Sequence, residues 1–207
     1  KKDDVLKVMR SYQIYATREI VDRVREKQRN NWSIKDQLGG YIWHTTGSGK
    51  TMTSFKAAEL VSQLKYCDKV IFLVDRITLA TQTVSEFEGF SNDEDIYATE
   101  NTDALLKILS DDQVGRLIVT SIQKMSNIVS GKIDTKKLEA IKKKRLVFVV
   151  DEAHRSTFGT MMTDIKETYP DAIFFGFTGT PIQTKYENKD STEITTADIF
   201  GNELHRY

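Results

Sequence analysis

Cysteine is nearly absent from this 207-residue sequence, where Cys67 stands alone. One thiol excludes an internal disulfide framework and fits a reducing compartment. Proline is almost as scarce: Pro170 and Pro181 both lie beside the last apolar run, leaving the rest of the chain without that helix breaker. Neither sign of charge is in excess, since 30 Lys and Arg meet 30 Asp and Glu for a formal net charge of zero. That balance excludes a global electrostatic footprint for nucleic acid, so any such contact must come from a local patch. No apolar run approaches the ~20 residues of a membrane span, and no signal peptide opens the sequence. The expected location is therefore cytoplasmic, with no membrane partner. Internal repeats and low-complexity segments are missing too. With 39% apolar residues, residues 1–207 are expected to form one domain around one substantial core, as a piece of a longer polypeptide.

What the sequence does contain is a succession of short apolar runs rich in β-branched and aromatic residues. They are Tyr41 to Trp43, Val70 to Val74, Leu117 to Val119, Leu146 to Val150 and Ile173 to Phe177. The runs are continuous rather than alternating, as in strands covered on both faces. Helical spacing falls between them, at Met52, Phe55, Ala58/Glu59, Val61 and Leu64, and at Leu105, Ile108 and Leu109 after the helix-starting types Asn101-Thr102-Asp103. This alternation predicts an α/β fold, a mostly parallel sheet flanked by helices on both faces. The polar stretch Lys185 to Ala197 reads as a loop.

The strongest local signal is Thr46-Gly47-Ser48-Gly49-Lys50-Thr51, which follows the first strand and opens a helix. Gly47 and Gly49 let the backbone turn its N–H groups inward onto phosphate oxygens, and the helix N-terminus adds to the attraction. Lys50 supplies a compact charge for the β- and γ-phosphates, and the Thr51 hydroxyl can ligate Mg²⁺. The general pattern sets a further glycine ahead of four intervening residues; His44 stands there.

A second signal closes the run Leu146 to Val150, where Asp151-Glu152-Ala153-His154 places two carboxylates at a strand end. Ligands of open α/β sheets bind at the carboxyl ends of strands, where the phosphate loop also lies. Asp151 would hold Mg²⁺, mainly through its water shell, and Glu152 would orient or deprotonate the attacking water. An N-capping Asp-Glu pair is the blander alternative for this tetrapeptide alone. Beside the phosphate loop it completes one site, and His154 is assigned to coupling nucleotide state to the next motif.

These two motifs together resemble the superfamily 2 helicases and translocases, whose first motor domain is a RecA-like phosphate-loop NTPase. Further segments follow that family's order. Arg10-Ser11-Tyr12-Gln13 resembles the glutamine motif, which implies that Gln13 reads the adenine edge. Asp75 to Gln82 is similar to motif Ia, Thr120 to Met125 to motif Ib, and Thr178-Gly179-Thr180-Pro181 to motif III. The phrases Tyr41 to Thr51, Thr120 to Met125, Phe175 to Ile182, and His154-Arg155-Ser156 with Phe158-Gly159 resemble the motor subunit of type I restriction-modification enzymes. The resemblance implies ATP and Mg²⁺ as cofactors, double-stranded DNA as the track, and methyltransferase and specificity subunits as partners. It implies coupling roles for His154, Thr178 and Thr180. It also implies backbone phosphate contacts by Arg76, Thr120, Gln123 and Lys124, since a motor must move over any sequence.

Two parts of that machine are not found in the chain. Glu187-Asn188-Lys189, the one similar candidate for a nuclease signature, has no strand around it. The second motor domain is missing as well, with the arginine that completes the ATP site. Added arginines contribute about 10³–10⁵ in rate in related NTPases, so the chain alone is expected to bind nucleotide and hydrolyse it very slowly. Lys142-Lys143-Lys144-Arg145 and the charges at Arg23, Arg25, Lys27 and Arg29 read as solvated helix surface. Trp32 and Trp43 read as packing residues. The competing readings are a strand-separating helicase, a non-catalytic scaffold, and a phosphate-loop kinase or GTPase. Against the last, Asn188-Lys189-Asp190 lacks the residue that a guanine-reading motif has between Lys and Asp.

Overall fold

The computed structural model describes residues 8–32, 39–75, 96–113, 116–131, 135–151, 156–183 and 194–207. The helices are α1 (Ser11–Arg29), α2 (Lys50–Ser62), α3 (Thr102–Ser110), α4 (Ile122–Ser130), α5 (Thr135–Lys142), α6 (Ser156–Thr168) and α7 (Thr196–Phe200). The strands are β1 (Gly40–Trp43), β2 (Lys69–Val74), β3 (Ile96–Ala98), β4 (Leu117–Ser121), β5 (Leu146–Asp151), β6 (Ile173–Thr178) and β7 (Glu203–Arg206). All strand pairs are parallel, in the order β3-β4-β2-β5-β6-β1-β7. None of the described helices is long and apolar enough to cross a membrane.

The continuous apolar runs form the five inner strands because both faces of the sheet are covered. Val70, Phe72 and Val74 pack on one side with Ile20, Val24, Phe55 and Val61 of α1 and α2. Ile71 and Leu73 point the other way, towards Met125 of α4, Met162 and Ile165 of α6, and Tyr169 just beyond it. In that second layer Phe148 and Phe174 stack with ring centroids 4.7 Å apart. Burying an aromatic side chain of this size stabilises the fold by about 1.5–3 kcal/mol, and the fully buried centres of β2 and β5 repeat that gain residue by residue.

Asn101 caps α3, its side chain accepting from the Ala104 N–H at 2.8 Å. Both edge strands, β3 and β7, escape the sequence reading because they are only three and four residues long and incompletely buried, so neither carries a continuous apolar run. Of the loop expected over Lys185 to Ala197, residues 185–193 lie outside the described residues, and the end is helical. Thr195 caps α7 by accepting from the Asp198 N–H at 3.1 Å, and Asp198 accepts in return from the Thr195 N–H. Thr196 and Ala197 therefore belong to the helix.

The basic run before β5 is more tightly held than a solvated helix end. Lys144 donates to the Ser110 carbonyl at 3.2 Å, and Arg145 forks onto Asp68, its Nε at 3.0 Å. These contacts sit at the amino ends of the strands, away from the phosphate loop. On α1, Arg23 and Arg25 pair with Glu19 and Asp22. Lys27, expected on the wet face, is instead only 2% exposed; the chain turns back after α1, and the backbone N–H of Trp32 bonds the Lys27 carbonyl.

Candidate nucleotide-binding site

Three adjacent strands, β5, β6 and β1, end at one level. Asp151 pairs in register with Phe177, and Thr178 with Trp43. The carboxyl ends of these strands deliver Asp151, the Thr178–Thr180 turn and the phosphate loop to the same edge, where doubly wound sheets hold ligands. The Lys50 Nζ lies 3.5 Å from an Asp151 carboxylate oxygen, both side chains largely buried. Opposite charges converging at the start of a helix match the two demands of a Mg²⁺-bound phosphate chain, one group for the anion and one for the cation.

Both loop glycines adopt left-handed backbone, Gly47 at φ 82° and Gly49 at φ 78°. A side chain at Gly47 would start in open space, so only its dihedral demands glycine; one at Gly49 would come within 2.6 Å of Gln13 Nε2. His44 has no positive φ, so the position where the general pattern has glycine accepts a side chain here. Its ring is fully buried beside Tyr12, Phe177, His205 and Tyr207. Burial first, then the nearby His205 and Lys50, depress its pKa to about 4.

The loop is tied down from both sides. The His44 N–H bonds the Thr178 carbonyl at 3.0 Å, and the Thr45 N–H bonds the Tyr207 carbonyl at 2.9 Å. Tyr12 donates its hydroxyl to the Ser48 carbonyl at 2.7 Å and stacks on Tyr207, the ring centroids 3.6 Å apart. Gln13, expected at the adenine edge, is buried against the loop. Its Oε1 accepts from the Arg10 N–H at 2.8 Å, and its Nε2 donates to the carbonyls of Ser48 at 3.2 Å and Gly49 at 3.4 Å. The loop-holding role of Tyr12 escapes sequence reading, since only the fold sets its hydroxyl beside Ser48.

Thr178 is fully buried, and its Oγ1 accepts from the Thr180 N–H at 3.1 Å, leaving Thr180 at the surface. Glu152, His154 and Arg76 lie outside the described residues. Of the other expected DNA contacts, Gln123 is exposed, whereas Thr120 is fully buried and receives the Thr99 hydroxyl at 2.8 Å. Lys124 is 4% exposed and its ammonium donates to the Thr99 carbonyl; burial lowers its pKa. Position 124 falls on the face of α4 turned towards the end of β3, where the ammonium is bonded inward.

The SWI2/SNF2 ATPase family profile matches residues 12–207. The chain is 44% identical over 205 residues to the type I restriction enzyme SauCOLORF180P endonuclease subunit of Staphylococcus aureus, covering 99% of this chain and 20% of that protein. It therefore spans about a fifth of that relative's length. The C-terminal part of a putative type I restriction enzyme MpnIIP endonuclease subunit, from Mycoplasma pneumoniae, is 46% identical over 164 residues, 78% of this chain and 79% of its own. Among solved structures, the ATP-dependent type ISP restriction-modification enzyme LlaBIII bound to DNA shares the fold with a TM-score of 0.63 at 20% identity, covering 98% of this chain and 15% of that one. With the phosphate loop and Asp151 meeting at one sheet edge, the chain belongs to the SWI2/SNF2 ATPase family and to the endonuclease subunits of type I restriction enzymes.

Proposed function

We propose that this chain is the first motor domain of a DNA translocase in a type I restriction enzyme, coupling ATP hydrolysis to movement on double-stranded DNA. The observation that carries the reading is the approach of Lys50 to Asp151 at 3.5 Å, at the mouth of a loop held in left-handed backbone by Gly47 and Gly49.

In this reading residues Thr46 to Thr51 cradle the phosphates of ATP, with Lys50 on the β- and γ-phosphates. Thr51 and Asp151 would hold Mg²⁺, which neutralises charge on the phosphate oxygens. Glu152 orients or deprotonates the attacking water. Gln13 serves the nucleotide by holding the loop through its bonds to Ser48 and Gly49. His154, Thr178 and Thr180 carry the nucleotide state onward. Arg76 and Gln123 grip backbone phosphates, while Thr120 and Lys124 set the position of α4 from within.

The partners are double-stranded DNA and the methyltransferase and specificity subunits of a restriction complex. A second motor domain supplies an arginine to the ATP site, so the isolated domain turns over slowly. The names of the relatives support the restriction setting, and a neighbour solved bound to DNA supports the track. The test is ATP hydrolysis by the full-length protein with and without double-stranded DNA, together with displacement of a third strand bound ahead of the motor. DNA-stimulated hydrolysis with displacement is expected; hydrolysis indifferent to DNA would remove the motor reading. Stimulation only by single strands would favour the strand-separating alternative.

A further inference from the structure

Trp43 ends β1 and directly precedes the phosphate loop, yet its indole reaches sideways to the end of β6. Its Nε1–H donates to the Gly179 carbonyl at 3.1 Å, in the turn that carries Thr178 and Thr180. The same turn lies against the loop: a side chain at Gly179 would begin 3.4 Å from the His44 carbonyl and 3.6 Å from Thr46 Oγ1. The indole is braced in turn by β7. The Arg206 guanidinium sits 4.0 Å from the ring centroid and forks onto both Glu203 oxygens at 2.9 and 2.8 Å. Glu203 also accepts the Tyr41 hydroxyl at 3.4 Å. Tyr41, Glu203, Arg206, Trp43 and Gly179 thus form one polar and aromatic chain across three neighbouring strands.

We propose that Trp43 is a positioning residue that fastens the Thr178–Thr180 turn to the strand bearing the phosphate loop, so that the turn follows the nucleotide. Tryptophan suits this role. Its N–H is a donor on a rigid bicycle, and a cation over the π face holds the ring and polarises that donor. Phenylalanine would fill the same space and keep Arg206, yet leave the Gly179 carbonyl without this bond. Beside the backbone bond from the His44 N–H to the Thr178 carbonyl, the Gly179 bond is a side-chain link from the end of β1 to the middle of the turn, whereas the Thr180–Thr178 bond stays within the turn.

The inference rests on the motor reading, and the experiment separates the two. In the full-length protein, Trp43→Phe is expected to keep ATP affinity within about twofold while base pairs moved per ATP fall by about threefold or more, as the loss of one hydrogen bond allows. Replacing Trp43 with its benzothiophene analogue, which keeps the bicycle and lacks the N–H, is expected to reproduce the loss. Unchanged movement per ATP in both variants would overturn the proposal. So would a loss of ATP affinity that accounts for the whole defect, since that marks a packing role alone. A wild-type protein whose hydrolysis ignores DNA would overturn the motor reading instead.

Discussion

Lys50, at the start of α2, and Asp151, at the end of β5, stand 3.5 Å apart although β5 is not paired with β1, the strand that leads into the phosphate loop. β6 runs between them, and the two side chains meet across its end. The pair tests the site as a whole, because one member serves the phosphates and the other the metal.

Lys50→Ala is expected to weaken Mg·ATP binding at least about tenfold, on the scale of a lost charge-assisted contact. The fold should be retained, since the side chain lies at the sheet edge rather than in either core layer. Equilibrium titration with a fluorescent ATP analogue, alongside circular dichroism, checks both halves. Wild-type affinity in the variant would end the phosphate-loop assignment.

Gln13→Ala separates two ways of serving the nucleotide. The bonds to the Ser48 and Gly49 carbonyls predict that KM rises for ATP and GTP alike, about three- to tenfold for one or two lost hydrogen bonds. A rise confined to ATP would show that Gln13 reads the adenine edge after all.

Glu152→Gln in the full-length protein should bind ATP normally and lose DNA-stimulated hydrolysis by about a hundredfold or more, the usual reach of a general base. Steady-state turnover and nucleotide binding measured side by side decide the matter, and normal turnover would refute the role.

His44 holds both ring nitrogens buried without a hydrogen-bond partner among the described residues. His44→Phe removes those unpaired atoms at similar volume and is expected to leave stability unchanged or raise it by up to about 1 kcal/mol. His44→Gly, which restores the general loop pattern, opens a cavity and should cost about 2–4 kcal/mol. Hydrogen exchange of peptides spanning β1 and β7 measures both.

The same residue gives a pH dependence with a definite sign. Folded His44 stays neutral down to about pH 4, whereas its ordinary value is 6.5. Between those values the unfolded chain binds a proton that the folded one refuses, so stability falls as pH drops from about 6.5 to about 4. The loss reaches about 3 kcal/mol, and the contribution is flat above that window. His44→Phe should abolish this part of the acid sensitivity when compared with wild type at each pH.

The five inner strands and the phosphate loop were legible because their causes are local. Runs such as Val70 to Val74 are apolar throughout, since both sides of each strand are covered, and the left-handed turns at 47 and 49 need glycine wherever they occur. The edge strand Glu203–Arg206 was not legible. Leu204 is its one apolar residue, and it exists as a strand because β1 offers it a free row of backbone groups.

Lys124 shows a contact that sequence order does not reveal. Sequence order assigned it to a DNA phosphate, and its position on α4 turned it inward to the Thr99 carbonyl.

Residue order by itself determined the alternation of strand and helix, the glycine-flanked lysine and the acidic strand end, because each needs only neighbours in the chain. The tertiary structure alone decided that Asp151 meets Lys50, that Gln13 grips the loop, and that Trp43 reaches Gly179. Those contacts depend on which strands lie side by side and in what register, and packing sets both.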